Sequence, residues 1–84
     1  MGYYVDKLRR RAKRGGDDPF MTLTIKKKVF YFYSSPEGCC TVKHRKVEKC
    51  FDETDGLFAY VAFIKEHTNE RTRVIVRRFK NAII

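Results

Sequence analysis

The sequence has no apolar run approaching the roughly 20 residues a helix needs to cross a bilayer, and no apolar stretch near its start. Neither a membrane-spanning helix nor a secretory leader is therefore expected, and the expected setting is cytoplasmic, with reduced thiols. Glycine and proline are scarce, at five and two residues, and no glycine-rich loop is arranged to cradle a phosphate. A Ser–His–Asp signature and a paired-carboxylate site are also missing. Cysteine is limited to Cys39, Cys40 and Cys50. Neighbouring Cys39 and Cys40 point to opposite faces of an extended strand, and the C-x2-C pairing of structural zinc sites is absent. His44 and His67 supply no evident completing set. Cys40 and His44 share a strand side but stand too far apart along an extended chain to form a nucleophile–base pair. No enzyme, metal or cofactor is expected, and buried thiols are the default reading.

Acidic residues are in short supply as well. Ten Asp and Glu face nineteen Lys and Arg, giving a formal charge of +9 and a pI of about 9.8. Such an excess favours polyanions: nucleic acid, an acidic protein face or an anionic membrane. Eighty-four residues make one small domain, while 43% hydrophobic and 14% aromatic residues are enough for a folded chain.

Two segments divide this length. Residues 1–19 read as a basic N-terminal arm and linker, and residues 20–84 as a ββαβ domain. The arm carries Lys7, Arg9, Arg10, Arg11, Lys13 and Arg14 against Asp6 alone. Tyr4, Val5, Leu8 and Ala12 fall at helical spacing, so it reads as a short amphipathic helix, semi-ordered by itself because isolated helices of this length are marginal in water. Its apolar side is too small for firm membrane binding. "GGDDP", residues 15–19, stops it.

Beyond it, "MTLTIKKKVFYFYSS" alternates and is rich in β-branched and aromatic residues, so one long strand or two short ones are expected. "SSPEG" is a turn, and "CCTVKHRKVEKCF" a second strand. "DETDG" opens a helix, with Asp52, Thr54 or Asp55 as its cap. Leu57, Tyr60, Val61 and Ile64 form the apolar face of that helix, widened by Phe58, Ala62 and Phe63. "HTNE" ends it, and "RTRVIVRRF", residues 71–79, is the last strand. The expected fold is α+β: a small three-stranded, mostly antiparallel sheet with one packed helix, preceded by the basic arm.

Sorting alternate residues assigns two sheet faces. If the first strand is unbroken, Leu23, Ile25, Val29, Tyr31 and Tyr33 face the helix. The second face then holds Lys26, Lys28, Phe30 and Phe32 from the first strand, with Lys43 and Arg45 from the second. Arg71, Arg73, Ile75, Arg77 and Phe79 of the third strand complete it. Lysines and arginines hold phosphates, and rings stack on bases. The basic residues of this face, with Phe30, Phe32 and the arm, are the candidate nucleic-acid-binding set. A bulge at "KKK" would reverse the assignment, sending Phe30 and Phe32 to the core and the tyrosines outward. The rings could equally be covered by the arm or by a second copy in a homodimer.

The leading expectation is a small non-enzymatic nucleic-acid-binding protein, for DNA or RNA. The alternative is an inhibitor or adaptor of the kind phages and mobile elements carry, docking its basic surface on an acidic protein.

Overall fold

The computed structural model describes residues 2–13, 17–34, 40–52 and 54–84. Among these, the elements run α1 (Gly2–Ala12), β1 (Met21–Ile25), β2 (Lys28–Ser34), β3 (Cys40–His44), β4 (Val47–Phe51), α2 (Leu57–Thr68) and α3 (Thr72–Ile83). The class is α+β, as expected. The sheet has four antiparallel strands in the order β1-β2-β3-β4, and three helices accompany it.

The extra strand comes from a turn inside "KKK". Ile25 pairs with Lys28, so Lys26 and Lys27 alone form the loop, and both have positive φ, at 52° and 66°. Two central residues at positive φ are the mark of the I′ hairpin turn, whose twist matches that of its strands. The loop spans two residues, so the core positions change from odd to even across it. Leu23 pairs with Phe30 and Met21 with Phe32, on the same face. The expectation that Phe30 and Phe32 stand on the second face is therefore corrected: both are fully buried. Tyr31 takes the outward position, 40% exposed.

A second two-residue loop, Arg45–Lys46, divides "CCTVKHRKVEKCF" into β3 and β4, with Arg45 at φ 55°. Cys40, Val42 and His44 are buried on β3, and Phe51 on β4. The expected "SSPEG" turn falls outside the described residues, apart from Ser34, which ends β2.

The third expected strand is α3. Val74, Ile75 and Val76 favour a strand locally, but that preference is weak and yields to the longer pattern. Ile75, Phe79 and Ile83 recur every fourth residue and all three are buried, a stripe that only a helix lays on one side. Helix α2 ends at Asn69, whose left-handed conformation (φ 57°) lets its N–H donate to the Lys65 carbonyl at 2.8 Å. Its start differs from expectation. Gly56 is the N-cap and no side chain caps it. The acids instead shape the preceding loop: the Asp52 N–H donates to Asp55 Oδ2 at 2.9 Å and the Thr54 N–H to Asp52 Oδ1 at 2.8 Å. The Thr54 hydroxyl bond, with help from its N–H, holds the Asp52 carboxyl below its ordinary pKa.

One face of the sheet meets the helices. Phe32 sits among Tyr60, Phe79 and Phe20, with ring centroids 6.3, 5.6 and 6.5 Å away. Phe51 stacks on Tyr60 at 4.1 Å. Val5 and Leu8 belong to the same apolar cluster, so α1 is built into the core and does not stand away as an arm. Burial, followed by the neighbouring Cys40, raises the Tyr60 phenol above its ordinary pKa. The folded state thus keeps this proton when an unfolded tyrosine has lost it, and stability falls as pH rises past about 10. Thermal melts between about pH 9 and 11 should show a shallower alkaline fall for Tyr60→Phe than for the wild type.

The KK loop itself is not what folding favours. A lysine at positive φ is disfavoured by about 1 kcal/mol or more, and Asn-Gly is the preferred pair for such a turn. Lys26→Asn with Lys27→Gly should raise the unfolding free energy by about 1–2 kcal/mol, read from urea denaturation.

Candidate functional site

The outward sheet face is where the candidate site was expected, and it is nearly neutral. It presents Thr22, Thr24, Val29, Tyr31, Tyr33, Thr41 and Cys50, with Lys43 opposite Glu48. Lys43 and Glu48 are 3.5 Å apart, and the Lys43 ammonium lies 4.9 Å from the Tyr33 ring centre. No other charged side chain of the paired strand residues faces this way. The expected basic second face is therefore corrected, because the loop at Lys26–Lys27 reversed the sides.

The cations gather elsewhere. Both hairpin loops lie at the same end of the meander, because β1 and β3 run in one direction and β2 and β4 in the other. That end carries Lys26, Lys27, Arg45 and Lys46, all exposed. The opposite end carries Asp17 and Asp18 before β1 and Asp52 and Asp55 after β4. The sheet is thus electrically polarised along its strands.

Helix α3 begins near the basic end, since α2 finishes there: the Lys28 ammonium donates to the His67 carbonyl at 2.8 Å. Arg73, Arg77, Arg78 and Lys80 are its charged residues, and it has no acid anywhere. Arg71 is its N-cap. Arg78 is pinned, donating to the Thr24 carbonyl at 2.9 Å and shielding the open edge of β1. Lys80 lies 4.9 Å from the Tyr4 ring centre. Arg73, Arg77 and Asn81 are spaced four residues apart on the exposed side, and none bonds to a described residue.

Helix α1 continues this surface beyond the end of α3. A groove there is lined by Lys7, Arg10, Arg11, Ala82, Ile83 and Ile84. Its arginines divide into two kinds. The Arg11 guanidinium donates to the carbonyls of Ala82, Ile83 and Phe20 at 3.1–3.2 Å, closing the last turn of α3 and tying α1 to the start of β1. Arg9 donates to the Asp55 carbonyl at 3.1 Å and stands 3.7 Å from Asp6. Arg10 and Lys13 are exposed.

The candidate set therefore divides by position. Lys26 and Arg45 stand at the hairpin loops, Arg71, Arg73 and Arg77 on α3, and Lys7, Arg10 and Lys13 on α1. Arg9, Arg11 and Lys28 are committed to carbonyls within the fold. Phe30 and Phe32 are core, Lys43 is on the sheet face, and Arg14 lies outside the described residues. Lys27, Lys46 and Asn81 were missed. The change from odd to even apolar positions across "KKK" was the signal for Lys27, and the four-residue spacing continued to Ile83 was the signal for Asn81.

Other chemistry is sparse. His44 is buried, with Nδ1 2.9 Å from the Val29 carbonyl and its ring 4.5 Å from that of Phe30. Its ring centre is 5.7 Å from that of His67, an aromatic contact at the rim of the core. Among the described residues no three His, Cys, Asp or Glu side chains group as a metal site, and no helix is long and apolar enough to cross a membrane. Searches of protein-family models, curated proteins and solved structures find no match to the chain.

Proposed function

We propose that the protein is a non-enzymatic nucleic-acid-binding protein that docks the exposed side of α3 on nucleic acid, with the hairpin loops and α1 gripping phosphates on either side. The observation that carries this reading is that its cations occupy positions that folding disfavours. Lys26, Lys27 and Arg45 hold positive φ, a conformation that glycine and asparagine adopt at far less cost. Arg71 and Arg73 sit at the N-terminal end of α3, where the helix dipole repels positive charge. Arg73 and Arg77 are like charges one turn apart, which weakens a helix. Local stability gains nothing from any of these choices, whereas a polyanion gains from all of them.

The experiment is a titration of short labelled nucleic acids at several ionic strengths. Neutralising about six phosphates should weaken binding about a thousandfold between roughly 50 and 200 mM salt. No binding at the lowest salt would overturn the reading. An acidic protein would engage the same cations. A pull-down with and without nuclease separates the cases: a partner retained after nuclease treatment, with no nucleic acid bound, favours the protein.

A further inference from the structure

We infer that α3 reads the base edges of duplex DNA in the major groove, through Arg73, Arg77 and Asn81; this rests on the nucleic-acid reading above. Three observations on α3 lead to it. The polar side chains beside the exposed line are occupied: Arg78 is held by the Thr24 carbonyl at 2.9 Å, and Lys80 lies against the Tyr4 ring at 4.9 Å. The three on the line are exposed and bond to no described residue. Their chemistry is also selective. An arginine fork donates two bonds to guanine O6 and N7, and an asparagine amide pairs with adenine N6 and N7. A surface built only for phosphates needs neither the asparagine nor the preference for arginine over lysine.

The dimensions agree. A helix with its side chains is about 10–12 Å across, and the line from Arg73 to Asn81 runs about 12 Å along its axis, at about 6 Å for every four residues. The major groove of B-DNA is about 12 Å wide and admits a helix, while the deep, narrow major groove of duplex RNA does not. Cations flank the line at both ends. Lys26 and Lys27 are exposed at the sheet end where α3 begins, and Lys7 and Arg10 line the groove where it finishes. Phosphate contacts on each side would fix the helix in register while its middle meets the bases. Single-strand binding relies on stacking on aromatic rings. No exposed ring stands on this line: Tyr31 faces away on the far side of the sheet, and Tyr3, exposed on α1, has the Lys7 ammonium 5.6 Å from its ring centre.

The test is selection from a random duplex DNA library with the full chain, followed by titration of the enriched and an unrelated duplex. A single-stranded version and a duplex RNA of the enriched sequence are titrated alongside. The inference expects an enriched sequence and tighter binding of duplex DNA than of either other form. It also expects the combined Arg77→Lys and Asn81→Ala variant to lower the ratio of enriched to unrelated affinity about tenfold or more. Lys26→Ala with Lys27→Ala should weaken both duplexes alike and leave the ratio standing. Binding without enrichment, a ratio indifferent to the α3 variant, or tighter binding of single strands or RNA overturns the inference and leaves the nucleic-acid reading in place. Absence of all binding at low salt overturns both.

Discussion

Replacing Arg73 and Arg77 together by glutamate is expected to weaken nucleic-acid binding by about a hundredfold or more at low salt, with the fold unchanged. Both side chains are exposed and bond to no described residue, so the folded state loses no contact with them. Each charge-assisted contact is worth about 1.5–3 kcal/mol, and two such losses alone reach two decades of affinity. The introduced carboxylates then repel the backbone. Neutral versions of Lys26 and Lys27, the exposed cations at the start of that line, should reduce the slope of log affinity against log salt by about two. The matching control is Lys43→Gln on the opposite sheet face, which should leave affinity nearly unchanged. Gel-shift or anisotropy titrations read all three, and circular dichroism confirms that the variants fold alike. The α3 variant changes the charge by four and Lys43→Gln by one, so equal losses per unit of charge would mean that affinity follows net charge alone.

Phe32→Ala is expected to cost about 3–5 kcal/mol of stability, and Tyr31→Ala about 1 kcal/mol or less. The residues are neighbours in sequence and opposite in fate. Phe32 is fully buried against Tyr60, Phe79 and Phe20, so truncation leaves a void where β2 meets α2 and α3. Tyr31 is 40% exposed between Thr22 and Lys43. A domain of this size has about 4–13 kcal/mol in total, so the first change approaches the limit of folding and the second does not. Urea denaturation of the two variants checks the register of β2 directly. A reversed order of costs would restore the unbroken first strand and return the aromatic pair to the outer face.

The fold class and the apolar side of α1 were legible in the sequence, because Tyr4, Val5, Leu8 and Ala12 spell a helical stripe that no strand would use. Helix α2 was legible too, apart from its cap and from Phe58 and Ala62, which widen the apolar face in the sequence reading but are exposed. What escaped detection were two hairpin loops without glycine or asparagine. "KK" and "RK" carry none of the usual turn chemistry, so β1 and β2 read as one long strand or two short ones, with faces sorted as if unbroken, and β3 and β4 as a single strand. The first omission reversed the faces of β2 and put Phe30 and Phe32 on the wrong side, whereas Cys40, Val42 and Lys43 of β3 lie on the faces expected of them. In α3 the Val-Ile-Val run hid a four-residue spacing that becomes plain only when Phe79 and Ile83 are included. The basic character of the chain was evident from composition. Its placement was not, because placement depends on the two loops and on α3 being a helix.

The same substitutions that obscured the loops bear on function. An Asn-Gly turn would have announced β1–β2, and lysines stand there at a cost to stability. Arg71 and Arg73 likewise stand at the end of α3 where the helix dipole repels them, and Arg73 and Arg77 repel each other one turn apart.

Mapping backbone amide shifts of the labelled protein during titration with short duplex DNA tests the central claim most directly. The expected changes centre on residues 71–81, with Lys26 and Lys27 and the exposed side of α1 following, while the amides around Tyr31, Tyr33 and Lys43 stay still. Changes centred on those sheet residues, with α3 unaffected, would contradict it.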